Sequence, residues 1–214
     1  IHVANGTYFP TGFKTDTSRL ATFTIDRDGL KLLGGYPNGG GTRDFDANPT
    51  ILSGNINLAS DSTDNSFRVV SIKSHAAVAD SIIVDGFSVT GGYANGMAID
   101  YEAYTNYTTG AGILIFGDLN AAAIVRNCKV IGNFALTGGN GMYVMGKNTP
   151  ESLIIPAPGI QNCLIKNNGA IADPSGNTFA FGGAIAGSLA SPVISNCTIF
   201  NNNGVLGAAI SGYQ

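Results

Sequence analysis

Three segments with nearly the same sequence recur at almost constant spacing, and this repeat constrains the fold more than any other feature. They occupy residues 126–133, 161–168 and 195–202, and each has Asn-Cys followed by alternating apolar positions. Apolar residues with a period of two predict a short strand with one face turned inward. Because the same residue types return at the same positions, the pattern favours a solenoid over a β-sandwich.

A second element, rich in small residues, recurs between these strands. Its copies begin at Gly110, Gly139, Gly182 and Gly207. We therefore predict an all-β chain that forms a right-handed, single-stranded parallel β-helix of about five to six coils, with one strand of each kind per coil. Inserted loops at about 93–109, 146–158 and 170–180 explain the unequal spacing, and residues 1–214 form one domain.

The alignment also assigns side chains to the two faces of the predicted strands, once segments 28–35 and 85–92 are added to it. The first inward column holds Leu30, Phe87, Cys128, Cys163 and Cys197, and the second holds Leu32, Val89, Val130, Ile165 and Ile199. The outward column between them holds Lys31, Ser88, Lys129, Leu164 and Thr198. Buried cysteine behaves as a small hydrophobe, so we expect three unpaired thiols in the core. The terminal asparagines, Asn133, Asn168 and Asn202, are expected to form a ladder of side-chain hydrogen bonds.

The segment 182–185, Gly-Gly-Ala-Ile, followed by Phe-Asn-Asn-Asn at 200–203, resembles the polymorphic outer-membrane-protein repeat. The N-terminal part, residues 1–8 and 28–36, is similar to the lead-in of large β-helix surface proteins of Gram-negative bacteria. This resemblance implies a pectin-lyase-like fold, export to the cell surface or outer membrane, and a longer β-helix. We therefore expect the chain to be a segment of a longer solenoid. Neighbouring coils of the same longer chain, or a stacked partner, would then cover the last coil of this segment.

The composition excludes two classes of partner. Charged residues make up 12% of the chain and the net charge is −3, with no basic stripe that nucleic acid would require. No apolar run approaches the roughly 20 residues that span a bilayer. We expect neither a nucleic-acid partner nor a membrane span in this segment.

Two groups of residues are candidates for binding. Four tyrosines of the first insertion suit contacts with a glycan or a surface protein, unless the loop folds back and covers the coil with them: Tyr93, Tyr101, Tyr104 and Tyr107. Two acidic loops offer oxygen ligands for Ca²⁺, although neither has the spacing of an EF-hand and aspartate is also common in turns. Their aspartates are Asp44, Asp46, Asp61 and Asp64. No other cofactor is expected.

Catalysis has weak support in the sequence. The outward column carries no pair of carboxylates, which glycoside hydrolysis normally requires, and neither His2 nor His75 has an obvious triad partner. We expect a non-catalytic secreted or cell-surface module with a structural and adhesive role, binding a glycan or protein through its inserted loops. The alternatives are a polysaccharide lyase or glycoside hydrolase with a loop-borne site, and a subunit of a stacked extracellular fibre.

Overall fold

The protein consists of short strands, and a computed structural model describes residues 1–10, 18–57, 61–75, 81–100, 105–117, 123–149, 152–172, 175–177 and 180–213. The first nine strands are β1 (His2–Ala4), β2 (Gly6–Tyr8), β3 (Phe23–Ile25), β4 (Lys31–Tyr36), β5 (Thr50–Ser53), β6 (Val70–Ser74), β7 (Ile82–Asp85), β8 (Phe87–Thr90) and β9 (Tyr93–Ala94). The next nine are β10 (Gly96–Asp100), β11 (Thr105–Tyr107), β12 (Ile113–Gly117), β13 (Ala123–Arg126), β14 (Lys129–Ile131), β15 (Phe134–Ala135), β16 (Met142–Met145), β17 (Lys147–Thr149) and β18 (Ser152–Ile154). The last seven are β19 (Gly159–Gln161), β20 (Leu164–Lys166), β21 (Gly169–Ala170), β22 (Ile185–Ser188), β23 (Val193–Ser195), β24 (Thr198–Phe200) and β25 (Ile210–Tyr213). One turn of 3-10 helix covers Ser62–Asp64.

Eighteen of these strands form three parallel sheets of six strands each, which confirms the all-β prediction. Sheet A has the order β1-β4-β7-β13-β19-β23, sheet B has β2-β5-β8-β14-β20-β24, and sheet C has β3-β6-β12-β16-β22-β25. The chain visits A, B and C in that order six times, and we call each passage a circuit. A short parallel sheet D, β9-β15-β21, follows sheet B in three circuits, and two antiparallel pairs, β10-β11 and β17-β18, lie in the first two predicted insertions.

Each circuit contains three main strands, so the prediction of two strands per coil was wrong. The missed strand belongs to sheet A and directly precedes the Asn-Cys pair, as Ala123–Arg126 precedes Asn127. Asn127 has a φ of +52°, the left-handed conformation that asparagine tolerates. A single residue therefore makes the corner, and two strands that look continuous in sequence belong to different sheets.

The alignment of segment 28–35 with the Asn-Cys strands was also wrong. Lys31 pairs with Ile83 and Leu32 with Val84, which places this segment in sheet A. The sheet B position opposite Phe87 is occupied by Thr50 instead. An Asp-Gly turn before alternating apolar residues occurs in both sheets, and a period of two does not distinguish them. The remaining outward positions are confirmed by the register Ser88–Lys129–Leu164–Thr198.

The core lies between the three sheets and includes the cysteine column. Cys128 and Cys163 are buried, Cys197 is half-buried, and all three are free thiols, as predicted except for the partial exposure of Cys197. The hydrogen bond with Cys128 and burial raise the pKa of Cys163, and burial raises the pKa of Cys197. These two thiols therefore stay protonated near neutral pH.

The predicted asparagine ladder is confirmed inside the turn that follows sheet B. Asn168 Oδ1 accepts from the backbone N–H of Asn133 at 3.1 Å and from its Nδ2 at 3.0 Å. Asn168 Nδ2 in turn donates to Val130 O at 3.0 Å and to Asn202 Oδ1 at 2.9 Å. Asn133 and Asn168 are buried, so these bonds satisfy polar groups that water does not reach.

A buried carboxylate stabilises the corner between sheets A and B. Asp85 is 1% exposed and accepts from Arg43 Nη2 at 2.5 Å, Arg126 Nε at 2.7 Å and Asn127 Nδ2 at 2.8 Å. Burial raises the pKa of Asp85, but the hydrogen bonds from Arg43, Asn127 and Arg126 together hold it below its usual value. The charged form of Asp85 is therefore part of the folded structure.

Candidate functional site

The outer face of sheet C changes character along the stack of circuits. Its inward column stays apolar, whereas its outward column changes in size from one circuit to the next. The outward column is Thr24, Ser71, Leu114, Tyr143, Ala186 and Ser211. Neighbouring parallel strands are about 4.8 Å apart, so this column is about 24 Å long.

The middle of this face is covered. Leu114 and Phe116 point outward, yet they are 0% and 6% exposed, and they pack with Tyr143 and Met145. Side chains buried in this way stabilise the fold and offer no surface to a ligand. The parts of the face that remain open lie on either side of this cluster.

A groove of about 830 Å³ opens beside the last two strands of sheet C. Its floor contains Ala186 and Ser211, and the ring of Tyr143 lines it in the preceding circuit. The groove exists because small outward residues follow a tyrosine in the same column. Its other side carries Phe181 and Leu206, which are 50% and 58% exposed.

Phe181 and Leu206 are held in place by a stacked line of backbone pairs that runs beside sheet C. Thr109 pairs with Gly138, Gly138 with Phe181, and Phe181 with Leu206, all in parallel orientation. Thr109, Thr137 and Ser211 add hydroxyl groups to the groove, and none of the described residues that line it is charged. The groove therefore combines apolar side chains and two aromatic rings with neutral hydroxyls, a lining that suits an uncharged ligand surface.

A second, smaller cleft lies at the other end of the face and contains Tyr107 of the predicted tyrosine group. It has a volume of about 200 Å³, and Arg19, Phe67, Arg68 and Lys73 contribute to its lining. The guanidinium of Arg19 lies 4.1 Å from the Phe67 ring centre, and that of Arg68 lies 4.7 Å from the Tyr107 ring centre. Because the Phe67 and Tyr107 ring centres are 5.5 Å apart, the two rings lie side by side with one guanidinium over each, an arrangement that cation–π attraction favours.

Tyr93 joins the same cluster through its backbone. Arg19 Nη2 donates to Tyr93 O and to Asn95 Oδ1, both at 2.7 Å, while burial lowers the pKa of Arg19. The rings of Tyr93 and Tyr107 are half-buried in these contacts, which favours the alternative that the insertion covers the coil with them. Tyr101 and Tyr104 lie outside the described residues.

The first pair of candidate calcium ligands, Asp44 and Asp46, makes hydrogen bonds and an ion pair with other residues of the chain. Asp44 Oδ1 accepts the backbone N–H groups of Asp46 and Ala47 at 3.0 Å, bonds that lower the pKa of Asp44. Asp46 pairs with Lys129 Nζ at 2.6 Å. Both contacts are ordinary for a turn and for a surface ion pair.

The second pair of candidate calcium ligands lies on the 3-10 helix. Asp61 caps this turn by accepting from Thr63 N at 2.9 Å and from Thr63 Oγ1 at 2.8 Å, which lowers its pKa. Asp64 Oδ1 is buried and has no hydrogen-bond donor within the described residues. Across the described ranges, no three His, Cys, Asp or Glu side chains form a group suited to a metal, and calcium binding stays a prediction.

One group of catalytic residue types does come together, at the end of β6. Asp28 Oδ1 accepts from Ser74 Oγ at 3.2 Å and from the backbone N–H of His75 at 3.0 Å, and Asp26 contacts His75 Nε2. A serine nucleophile requires its base on the hydroxyl and access to substrate. Ser74 is 1% exposed and bonds to Asp28 rather than to histidine, so this group ties β6 to the turn before β4.

Comparison with protein-family models, curated proteins and solved structures gives no match for this chain. The groove residues were missed by the sequence reasoning, which followed the repeated positions and the insertions. The available signal was the column itself, in which a tyrosine is followed by alanine and serine at successive equivalent positions. Within the described residues, no helix is long and apolar enough to cross a membrane.

Proposed function

We propose that the chain is a right-handed parallel β-helix and acts as a non-catalytic, secreted or cell-surface module with a structural and adhesive role. Three parallel sheets visited in a constant order support the solenoid, and connections between parallel strands are right-handed in about 98% of cases. The resemblance of segments 182–185 and 200–203 to surface-protein repeats supports export. In this reading, the asparagine ladder and the apolar core give a rigid stem, and one face carries the contacts.

The observation that carries the adhesive role is the open groove beside Tyr143, Phe181 and Leu206. A large exposed apolar patch bordered by polar groups is typical of an interaction site. The groove extends from the register of Thr109 to that of Leu206, three strand spacings of about 4.8 Å each. It therefore has room for a short stretch of an extended glycan or of a protein loop.

The same lining argues against the enzymatic alternative. Glycoside hydrolysis normally uses two carboxylates that flank the scissile bond, and among the described residues no acidic side chain lines either cleft. Binding through rings, aliphatic side chains and hydroxyls needs no titrating group. Adhesion is therefore the chemistry that this surface supports best.

The test is a binding screen of the purified protein against arrays of glycans and extracellular proteins. Truncation of a central apolar anchor typically costs about 2 kcal/mol or more, so Phe181→Ala is expected to weaken binding by at least about tenfold. Phe200→Ala is the matched control, because Phe200 is 43% exposed but lies on sheet B. Equal losses in both variants, or polysaccharide turnover abolished by one carboxylate substitution, would contradict the proposal.

Calcium is part of the proposal only as a surface ligand of the loops with Asp44 and Asp61. Addition of Ca²⁺ after chelation is expected to raise the midpoint of thermal unfolding, since a ligand of the native state stabilises it. The change is expected to disappear in an Asp64→Asn variant if the buried Oδ1 of Asp64 is a ligand. A midpoint that does not respond to calcium removes the ion from the proposal.

A further inference from the structure

The sequence contains six Asn-Gly pairs, and the fold places one of them in a very different environment from the rest. The asparagines are Asn5, Asn38, Asn95, Asn140, Asn168 and Asn203. Asn-Gly is chemically labile, because glycine has no side chain to hinder attack of its backbone nitrogen on the preceding amide. Whether a pair reacts in the folded protein depends on the freedom of both residues to move.

Asn38 is exposed at the tip of the loop that follows β4. Gly40 N donates to Pro37 O at 3.1 Å, and Gly39 has a φ of +87°, the geometry of a type II turn. An added Cβ on Gly39 or Gly40 would meet no atom within 4 Å. Within the described part of the chain, no hydrogen bond holds the side-chain amide of Asn38 or the backbone N–H of Gly39.

Both buried pairs are restrained at the side-chain amide, and the Asn168 pair is restrained at the attacking nitrogen as well. The side chain of Asn168 makes the ladder bonds to Val130 and Asn202, and the next nitrogen, Gly169 N, donates to Asn133 O at 2.9 Å. Asn140 is buried, and its Nδ2 donates to Asn203 O at 2.9 Å. Attack at either position requires local opening of the circuit.

In each of the remaining three Asn-Gly pairs, at least one of the two residues is held by a contact with another part of the chain. Gly6 N donates to Pro49 O at 3.1 Å, which occupies the attacking nitrogen of the first pair. Arg19 holds Asn95 Oδ1 at 2.7 Å. Asn203 is exposed, but its carbonyl accepts from Asn140, and a Cβ on Gly204 would lie 2.7 Å from Gly183 N, so the backbone there is packed against the neighbouring circuit.

We propose that Asn38 is a site of spontaneous deamidation, and that the turn at residues 37–40 is the one place where the described fold leaves an Asn-Gly pair free to react. Gly39 N bonds to Asn38 Cγ, the Cγ–Nδ2 bond breaks, and ammonia leaves with the proton from Gly39 N. Water then opens the succinimide ring at either carbonyl, which gives aspartate or isoaspartate. The net reaction consumes one water, releases one ammonia and adds one negative charge to a chain of net charge −3.

This modification would alter the surface without touching the core. The loop remains fixed at its far end, because Arg43 Nε donates to Gly34 O at 2.6 Å and Arg43 Nη2 to Asp85. Isoaspartate adds one methylene to the backbone within the Pro37–Gly40 turn, so the change is confined to the tip. The reaction is slow and irreversible, and its extent records the age of the molecule.

The test compares folded and denatured protein after incubation in the same warm, mildly alkaline buffer. Peptide mapping by mass spectrometry detects replacement of the amide by a carboxyl group, and the tryptic peptide covering residues 32–43 reports on Asn38. Conversion of Asn38 is expected at a rate within a few-fold of the denatured rate, whereas Asn140 and Asn168 are expected to slow by at least about tenfold on folding.

An Asn38→Gln variant is expected to lose the signal in this peptide, because glutamine would have to close a less favourable six-membered ring. Asn203, exposed but packed along its backbone, is the matched control for exposure alone. Protection of Asn38 comparable to that of Asn168, or equal conversion of Asn38 and Asn203 in the folded protein, would overturn the proposal. Neither result depends on the adhesive role.

Discussion

Substitution of Asn168 by alanine tests whether the asparagine ladder stabilises the circuits. The change removes the acceptor of Asn133 N and Asn133 Nδ2, and it removes the donor to Val130 O. A buried polar group that loses its partner costs about 1–3 kcal/mol. With these three buried groups affected, and the bond to Asn202 Oδ1 lost as well, we expect a loss of about 3–5 kcal/mol in the free energy of unfolding, near the upper end for single substitutions.

Asn202→Ala is the matched control, because Asn202 stands at the half-buried end of the same ladder. Water can replace its bonds, so we expect a loss of about 1 kcal/mol. Urea unfolding followed by circular dichroism measures both losses, and hydrogen exchange at Asn133 N, which donates to Asn168 Oδ1, reports on the local effect. Equal losses in the two variants, or unchanged exchange at Asn133 in Asn168→Ala, would refute the reasoning.

Three further predictions concern the faces of the strands, the thiols and the buried carboxylate. Ile165→Asp is expected to lower the free energy of unfolding by about 3–5 kcal/mol because it buries an uncompensated charge. Lys129→Asp on the outward face is expected to lower it by about 1 kcal/mol or less. Similar midpoints of thermal unfolding in the two variants would show that the faces are wrongly assigned. A thiol reagent is expected to modify only Cys197 in the native protein and all three cysteines in denaturant, and a disulfide in the denatured protein would contradict this. The pKa of Asp85 is depressed in the folded state, so its stabilisation is complete above the unfolded value of about 3.9 and is lost as the pH falls below it. Asp85→Asn is expected to flatten this acid dependence in pH-dependent unfolding, and an unchanged slope would count against the role of the carboxylate.

The last four strands of sheets B and C were predictable because their positions repeat by residue type. In four circuits the corner before the sheet C strand is a left-handed glycine, as at Gly139, where φ is +56°. A Cβ there would lie 2.7 Å from Met142 O, so the glycine is needed for space as well as conformation. Constraints of this kind require one particular residue type at a position. The repeat is visible in the sequence because the same residue type then returns in each circuit.

Sheet A was not predicted because no position in its strands requires one particular residue type. Its strands at Ile82–Asp85 and Val193–Ser195 share only alternation of apolar side chains with Ala123–Arg126. Any apolar residue satisfies an inward position of a sheet, so equivalent strands need not look alike. The corner at Asn127 was visible, but it was interpreted as the start of a strand rather than as the boundary between two.

The groove was not predicted from the sequence for a related reason. The same reason indicates which positions of such a fold are available for contacts with a partner. Corner positions are restricted by φ and therefore repeat by residue type, whereas inward positions are restricted only to apolar side chains. Outward positions of sheet C carry neither restriction, and the column can change from Tyr143 to Ala186 without altering the register. The repeated positions therefore determine the fold, whereas a binding surface arises where the residue type in an outward column changes from one circuit to the next. On this molecule that break coincides with the exposed side chains of Phe181 and Leu206, which is why the groove rather than the tyrosine insertion is the stronger candidate for the adhesive contact.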